Sequence, residues 1–246
     1  MANASTESMP VTTDNGVAGS QDMFNRELET YRRIVGANLM FHQDVYHLLR
    51  DLLIEQAPAS FRFLDVACGD ASACAAMLRT MEIGNYVGID LSAASLRLAA
   101  QELVALPCPV ELRCCDFAQA MAKWSEPVDV IWIGMSLHHL PTAAKAKVMR
   151  NAHRALGGMG LFVIWEPALF EAEDRAAWLA RFSLLRDKWS AVSDEEFASM
   201  ERHMLLADFP ETSQTWLRLG RDAGFSHAED IFMMPNKMGR VFRYWN

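Results

Sequence analysis

Short apolar runs and longer stretches with apolar residues every three or four positions alternate along most of this chain. The runs 61–66, 85–90, 109–115, 128–133 and 160–165 are strand-like, and 71–80, 92–105, 117–124 and 141–156 have the helical period. Strict alternation of the two predicts a doubly wound α/β sheet with helices on both faces. The helix over 141–156 has clear ends, with Pro141 in its first turn and Gly157-Gly158 as its stop. Two further helices, 26–35 and 41–56, precede the first strand. The second carries Leu48, Leu49, Leu52 and Leu53 on one stripe, and together they predict an N-terminal cap over residues 21–57.

Downstream of the fifth strand the pattern becomes wholly helical. Residues 168–209 hold two helical stretches, 171–189 and 194–207, which exceed an ordinary crossover and are read as a lid. Trp178, Phe182 and Leu185 recur at helical spacing, which favours packing of the lid over a ligand pocket. A helix opened by Pro210 and Glu211 then ends at Gly224, and 226–234 and 238–245 form two closing strands. Residues 1–20, rich in Ala, Ser, Thr, Asn and Gly without period, are expected to be a disordered leader, leaving the main domain over 58–246.

Composition narrows the function classes. The 246 residues are 51% hydrophobic and 22% charged, enough for one full core. The leader has no basic start or apolar run, and no stretch is long enough to span a bilayer, so a cytoplasmic protein without membrane contact is expected. Net charge is −8 with the basic residues dispersed, which argues against a nucleic-acid partner. Cys68, Cys74, Cys108, Cys114 and Cys115 are odd in number and lack paired zinc spacing, so they are expected to be buried reduced thiols, with no metal site.

The candidate chemistry begins at Phe61-Arg62-Phe63-Leu64-Asp65-Val66-Ala67-Cys68-Gly69-Asp70, an apolar strand with an acid near its end that leads into a small-residue turn and a helix. Ala67, Gly69 and Ala71 let backbone N–H groups and a helix N-terminus approach a ligand. A dinucleotide-binding turn places its acid at the end of the second strand, after the glycines. Here Asp65 precedes the turn, and a second acid, Asp90, closes Tyr86-Val87-Gly88-Ile89-Asp90. Two strand-end acids point to a different cofactor.

These residues resemble the class I S-adenosylmethionine-dependent methyltransferases, in particular their small-molecule branch. The likeness runs through Asp116-Phe117 after the third strand, Gly134-Met135-Ser136-Leu137-His138-His139 after the fourth and Glu166-Pro167 after the fifth. It implies a Rossmann-like seven-stranded sheet of order 3-2-1-4-5-7-6, its last strand antiparallel. S-adenosylmethionine is implied as cofactor and S-adenosylhomocysteine as product. Asp65, Ala67, Cys68 and Gly69 would form the first loop, Asp90 and Leu91 would meet the ribose, and Asp116 and Phe117 the adenine. Gly134 and Met135 would complete the cofactor wall. The family's usual glycines are replaced by Ala67 and Ala71, so the turn is expected to keep negative φ at both.

Methyl transfer needs an aligned nucleophile and exclusion of water, and a base only where the nucleophile carries a proton. His139 is the first candidate base and His138 the second, each against the plainer role of packing onto a backbone carbonyl. Glu166 either orients substrate or caps the helix after Pro167. From the cap, Tyr31 is a candidate catalytic residue and Arg33 a candidate for the cofactor carboxylate, against a solvated helix face. The expected acceptor is a small molecule on a monomer or homodimer. The alternatives are a nucleic-acid or protein methyltransferase, and a non-catalytic cofactor-binding interaction protein. Gly134-Met135-Ser136-Leu137 lacks the Pro-Pro-aromatic loop that clamps a flipped base.

Overall fold

The computed structural model describes residues 29–246. The expected leader and the cap residues 21–28 lie outside the described residues. The first described element, α1, covers 29–36, followed by α2 (His42–Gln56). The sheet units follow as β1 (Phe61–Val66), α3 (Ser72–Leu78), β2 (Ile83–Asp90), α4 (Ala93–Glu102), β3 (Val110–Cys114), α5 (Phe117–Lys123), β4 (Val130–Gly134), α6 (Thr142–Leu156) and β5 (Leu161–Leu169). After β5 come α7 (Arg175–Ser183), α8 (Asp194–Ala207), the two-residue β6 (Glu211–Thr212), α9 (Ser213–Ala223), β7 (His227–Met233) and β8 (Gly239–Trp245).

Strand order is β3-β2-β1-β4-β5-β8-β7, with β6 paired to the end of β5. This is the expected order with one small strand inserted ahead of the last two. The first five strands are parallel and β8 is antiparallel to both β5 and β7.

Because side chains alternate across a strand, the sheet builds two cores. Phe61, Phe63, Trp132, Val163 and Trp165 pack with Leu49, Leu53 and Leu78 on one face. Leu64, Val66, Ile131, Ile133 and Phe162 pack with Met149 and Trp216 on the other. Asp65 has the parity of Phe63 and is flanked by Gly88 and Trp132, so it lies on the face covered by α2 and α3. A third cluster joins Trp178, Phe182, Trp189 and Phe197, from the helical segment after β5, to Ile34 of α1 and Met238. α1 and the helical segment after β5 thereby share apolar packing, and Arg33 ties them further through Glu196 and the Ala191 carbonyl oxygen.

Two expectations need correction. β5 continues through Glu166 and Pro167 to Leu169, although proline normally ends a strand by withholding a ladder N–H. By then β4 has left the sheet, while β8 pairs Glu166 with Arg240 and Pro167 with Gly239. His138 and His139 precede α6, in a separate 3-10 turn, Leu137–His139. All five cysteines are free, but only Cys74 is buried and Cys114 is exposed. No helix among the described residues is long and apolar enough to cross a membrane.

Candidate active site

At the carboxyl end of β1, Asp65 is 3% exposed and accepts a 2.6 Å hydrogen bond from the Tyr86 hydroxyl. Burial raises its pKa to about 6, against the Tyr86 and Cys74 bonds that lower it, and the nearby Asp90 charge raises it further. Asp90 holds the turn in place. The Gly69 N–H donates to its Oδ2 at 2.9 Å and the Ser92 N–H to its Oδ1 at 2.7 Å. Asp116 caps α5, its Oδ1 accepting from the Gln119 N–H at 2.8 Å.

The turn itself contradicts the expected backbone. Ala67, Gly69 and Ala71 have φ of 58°, 56° and 54°, so both alanines adopt the left-handed conformation that glycine takes without strain. The Gly69–Asp90 bond and the Ala71 N–H donated to the Cys68 carbonyl oxygen help hold this shape against the Cβ clash. An alanine there costs about 1–2 kcal/mol, and a glycine forfeits roughly 0.5–1 kcal/mol of chain entropy. Ala67→Gly is therefore expected to stabilise the protein by up to about 1 kcal/mol, read as a higher urea midpoint at unchanged slope. A lower midpoint would show that the alanine is not strained.

A cavity of about 140 Å³ opens over this turn. Asp65, Ala67, Cys68, Gly69, Asp70, Gly134 and Met135 wall it from the sheet, with Trp132 and Trp165 beside them. Tyr31, His42 and Tyr46 close it from the cap. Met135 is itself left-handed, φ 54°, and its N–H donates to the Trp165 carbonyl oxygen at 2.7 Å.

His42 and Tyr46 were missed by sequence reasoning. Their spacing of four places them on one face of α2, but that pattern reads equally as core. His42 is 5% exposed, packs edge-on to Trp165 and shares its Nε2 with the Tyr31 hydroxyl at 3.1 Å. Its Nδ1 is buried without a hydrogen-bond partner. Burial depresses the His42 pKa to about 4, with the Asp70 charge opposing, and burial raises that of Tyr31 to about 12.

The other candidate residues lie outside this cavity. Leu91 is exposed and Phe117 is half-buried against the second core. Arg33 is engaged with Glu196 rather than with the cavity, since its helix face meets α8. Glu166 neither faces the cavity nor caps a following helix. Fully buried inside β5, its carboxylate accepts from the N–H groups of Ser136, Leu137 and His138 at 3.1, 2.8 and 3.2 Å and approaches His138 Nδ1 at 2.7 Å. The whole loop after β4 is folded around that one carboxylate. His138 is buried; His139 is partly exposed, its Nδ1 3.2 Å from the Ala207 carbonyl oxygen. Neither ring lines the cavity.

The residues present fit S-adenosylmethionine. The first loop offers N–H groups and a small-residue approach, and Asp65 and Asp70 complement an ammonium and a sulfonium. The Asp90 carboxylate retains lone pairs for a ribose diol at the neighbouring strand end. A cavity of about 140 Å³ accommodates only part of a cofactor that size, so the adenosine half would lie outside it, toward Asp90 and Asp116.

Residues 63–160 match the family model described as a methyltransferase domain. Among solved structures, an O-methyltransferase family protein from Burkholderia thailandensis is similar with a TM-score of 0.61 and 16% identity, over 87% of this chain and 59% of that one. A putative O-methyltransferase from Nostoc punctiforme gives 0.57 and 18%, over 82% and 56%. PigF with SAH gives 0.53 and 21%, over 75% and 50%. At these identities the likeness is one of fold, and the chain spans between half and three fifths of each of the three structures. No curated protein matches the sequence. Over residues 63–160, with the Asp65 turn and Asp90 inside them, the chain is similar to the methyltransferase-domain family, and its sheet is consistent with the fold of a class I S-adenosylmethionine-dependent methyltransferase.

Proposed function

We propose that this chain transfers a methyl group from S-adenosylmethionine to a small organic acceptor that meets it beneath the cap and lid. The observation that carries this reading is the cavity in which the Asp65–Asp70 turn faces Tyr31, His42, Tyr46 and Trp165. An acidic turn opposite an aromatic wall suits a sulfonium on one side and a flat or apolar acceptor on the other. The O-methyltransferase folds among its structural neighbours support a small acceptor, and the net charge of −8 gives nothing for a nucleic acid to bind.

When bound, the cofactor supplies an already electrophilic methyl carbon. What remains for the protein is alignment and dryness. Trp132, Trp165 and Tyr46 wall the cavity with apolar surface, and the left-handed turn and Met135 set its sheet side. Holding the two reactants in line contributes roughly 7–11 kcal/mol of barrier lowering. For an acceptor that must lose a proton, His42 is the group in place: it is neutral above its pKa of about 4 and lines the cavity. His139 is the second reading, favoured by its half-exposed ring and by the Asp208 carboxylate, which raises its pKa.

The two readings separate in a pH profile. With isotope-labelled methyl donor and a panel of phenols, amines and thiols, turnover is expected, and kcat/KM should stay flat between pH 6 and 9 if His42 takes the proton. A limb rising with pH through the neutral range would assign the proton to His139. Cofactor binding without transfer to any acceptor would favour a non-catalytic interaction protein.

A further inference from the structure

Three imidazoles surround a single carboxylate oxygen where the lid meets the loop after β4. His139 Nδ1, His138 Nε2 and His203 Nε2 lie 3.3, 3.6 and 3.7 Å from Asp208 Oδ1. Asp208 is 5% exposed, and this oxygen is buried with no hydrogen-bond partner. From this geometry we propose a divalent transition-metal site of the zinc class, ligated by His138, His139, His203 and Asp208.

The separations distinguish co-ligands from hydrogen-bonded partners. Charge-assisted N–H···O bonds close to about 2.7–2.9 Å, which none of the three pairs reaches. Tetrahedral ligands at bond lengths of about 2.0–2.1 Å stand roughly 3.3–3.4 Å apart, close to what is observed. The ligand atoms of His138, His139 and Asp208 all lie within 4.8 Å of one another. Three imidazoles and a carboxylate suit zinc and its neighbours, and disfavour the all-oxygen cations magnesium and calcium.

The surroundings of His138 supply an independent observation. Its Nδ1 meets the fully buried Glu166 carboxylate at 2.7 Å, which leaves Nε2 as the nitrogen presented to Asp208. A carboxylate gripping the far nitrogen of an imidazole is the usual outer support of a metal-bound histidine. His203 stands on α8 with its side chain 62% exposed, free to swing inward as the fourth ligand. The contact between His139 Nδ1 and the Ala207 carbonyl oxygen gives way on coordination.

Such a site clasps the end of the lid to the 3-10 turn that Glu166 holds. It is independent of the acceptor, and because a coordinated His139 has no free lone pair the site goes with His42 as the proton acceptor; its failure would leave the methyl-transfer reading standing. The test uses the untagged full chain, stripped with a chelator and titrated with zinc, and in parallel with cobalt. Expected are one equivalent of tightly bound zinc, a raised melting temperature and the visible spectrum of tetrahedral cobalt. Asp208→Asn should abolish binding. His203→Ala, an exposed change that leaves the fold intact, should weaken it at least tenfold. No stoichiometric binding, or binding that survives both substitutions, would overturn the site. Loss in Asp208→Asn with full retention in His203→Ala would overturn the four-ligand clasp.

Discussion

Glu211→Ala is expected to lower the unfolding free energy by about 3–5 kcal/mol, because it strands a buried ammonium. Lys145 of α6 is completely buried, and its Nζ donates to Glu211 Oε1 at 2.8 Å and to the Phe209 carbonyl oxygen. The same ammonium lies 5.2 Å from the centre of the Trp216 ring. Glu211 sits in β6, which pairs with the extended end of β5, and it also accepts from the Thr142 hydroxyl at 2.6 Å. Removing the carboxylate leaves Lys145 with one carbonyl and an aromatic face in a dry site. Urea unfolding checks this, with Glu211→Gln as the conservative comparison that keeps an acceptor and loses less. A loss below about 1 kcal/mol in Glu211→Ala would mean that water reaches Lys145.

The second large effect runs the other way. Asp65→Asn should stabilise the cofactor-free protein at pH 7.5 while weakening S-adenosylmethionine binding. Burial raises the Asp65 pKa to about 6, so folding disfavours its charged form. The associated stability is fully present below the unfolded value near 4 and is lost as pH rises through 6. Two pKa units correspond to about 3 kcal/mol, the upper bound of what an amide recovers above pH 6. The amide oxygen still accepts from Tyr86, so the hydrogen bond survives. Denaturation from pH 4 to 8 should show the gain appearing only as pH rises, while calorimetry shows weaker cofactor binding from the lost negative charge. Equal destabilisation at both ends of the range would make Asp65 a structural carboxylate and remove it from the site. A buried charge kept at a cost to stability is characteristic of a group retained for binding.

Much of the architecture was legible because it depends on local patterns. Leu64 and Val66 against Phe63 and Asp65 show the strand period directly, and Gly157 marks the end of α6 at the residue before which that helix stops. The order of Asp65, Asp90, Asp116 and Met135 at successive strand ends follows from parallel strands, which bring all their carboxyl ends to one rim. Pro167 misled because a strand edge tolerates proline once its neighbour has ended, and nothing local reports where β4 ends. The alanine φ values misled for a related reason: propensity favours negative φ, and the bonds made by Gly69 and Ala71 override it.

Local chemistry along the chain thus settles the elements, their order and which acids stand at the carboxyl-end rim of the sheet, since each depends on residues two to four apart or on the polarity of a strand. Long-range contacts settle the rest. Glu166 gathers the loop after β4 from nearly thirty residues away, His42 and Tyr31 reach the cavity only because the cap folds back over β1, and Asp208 draws in histidines from two separate segments. A buried polar atom must find its partner wherever packing delivers one, and no spacing in the chain records that delivery.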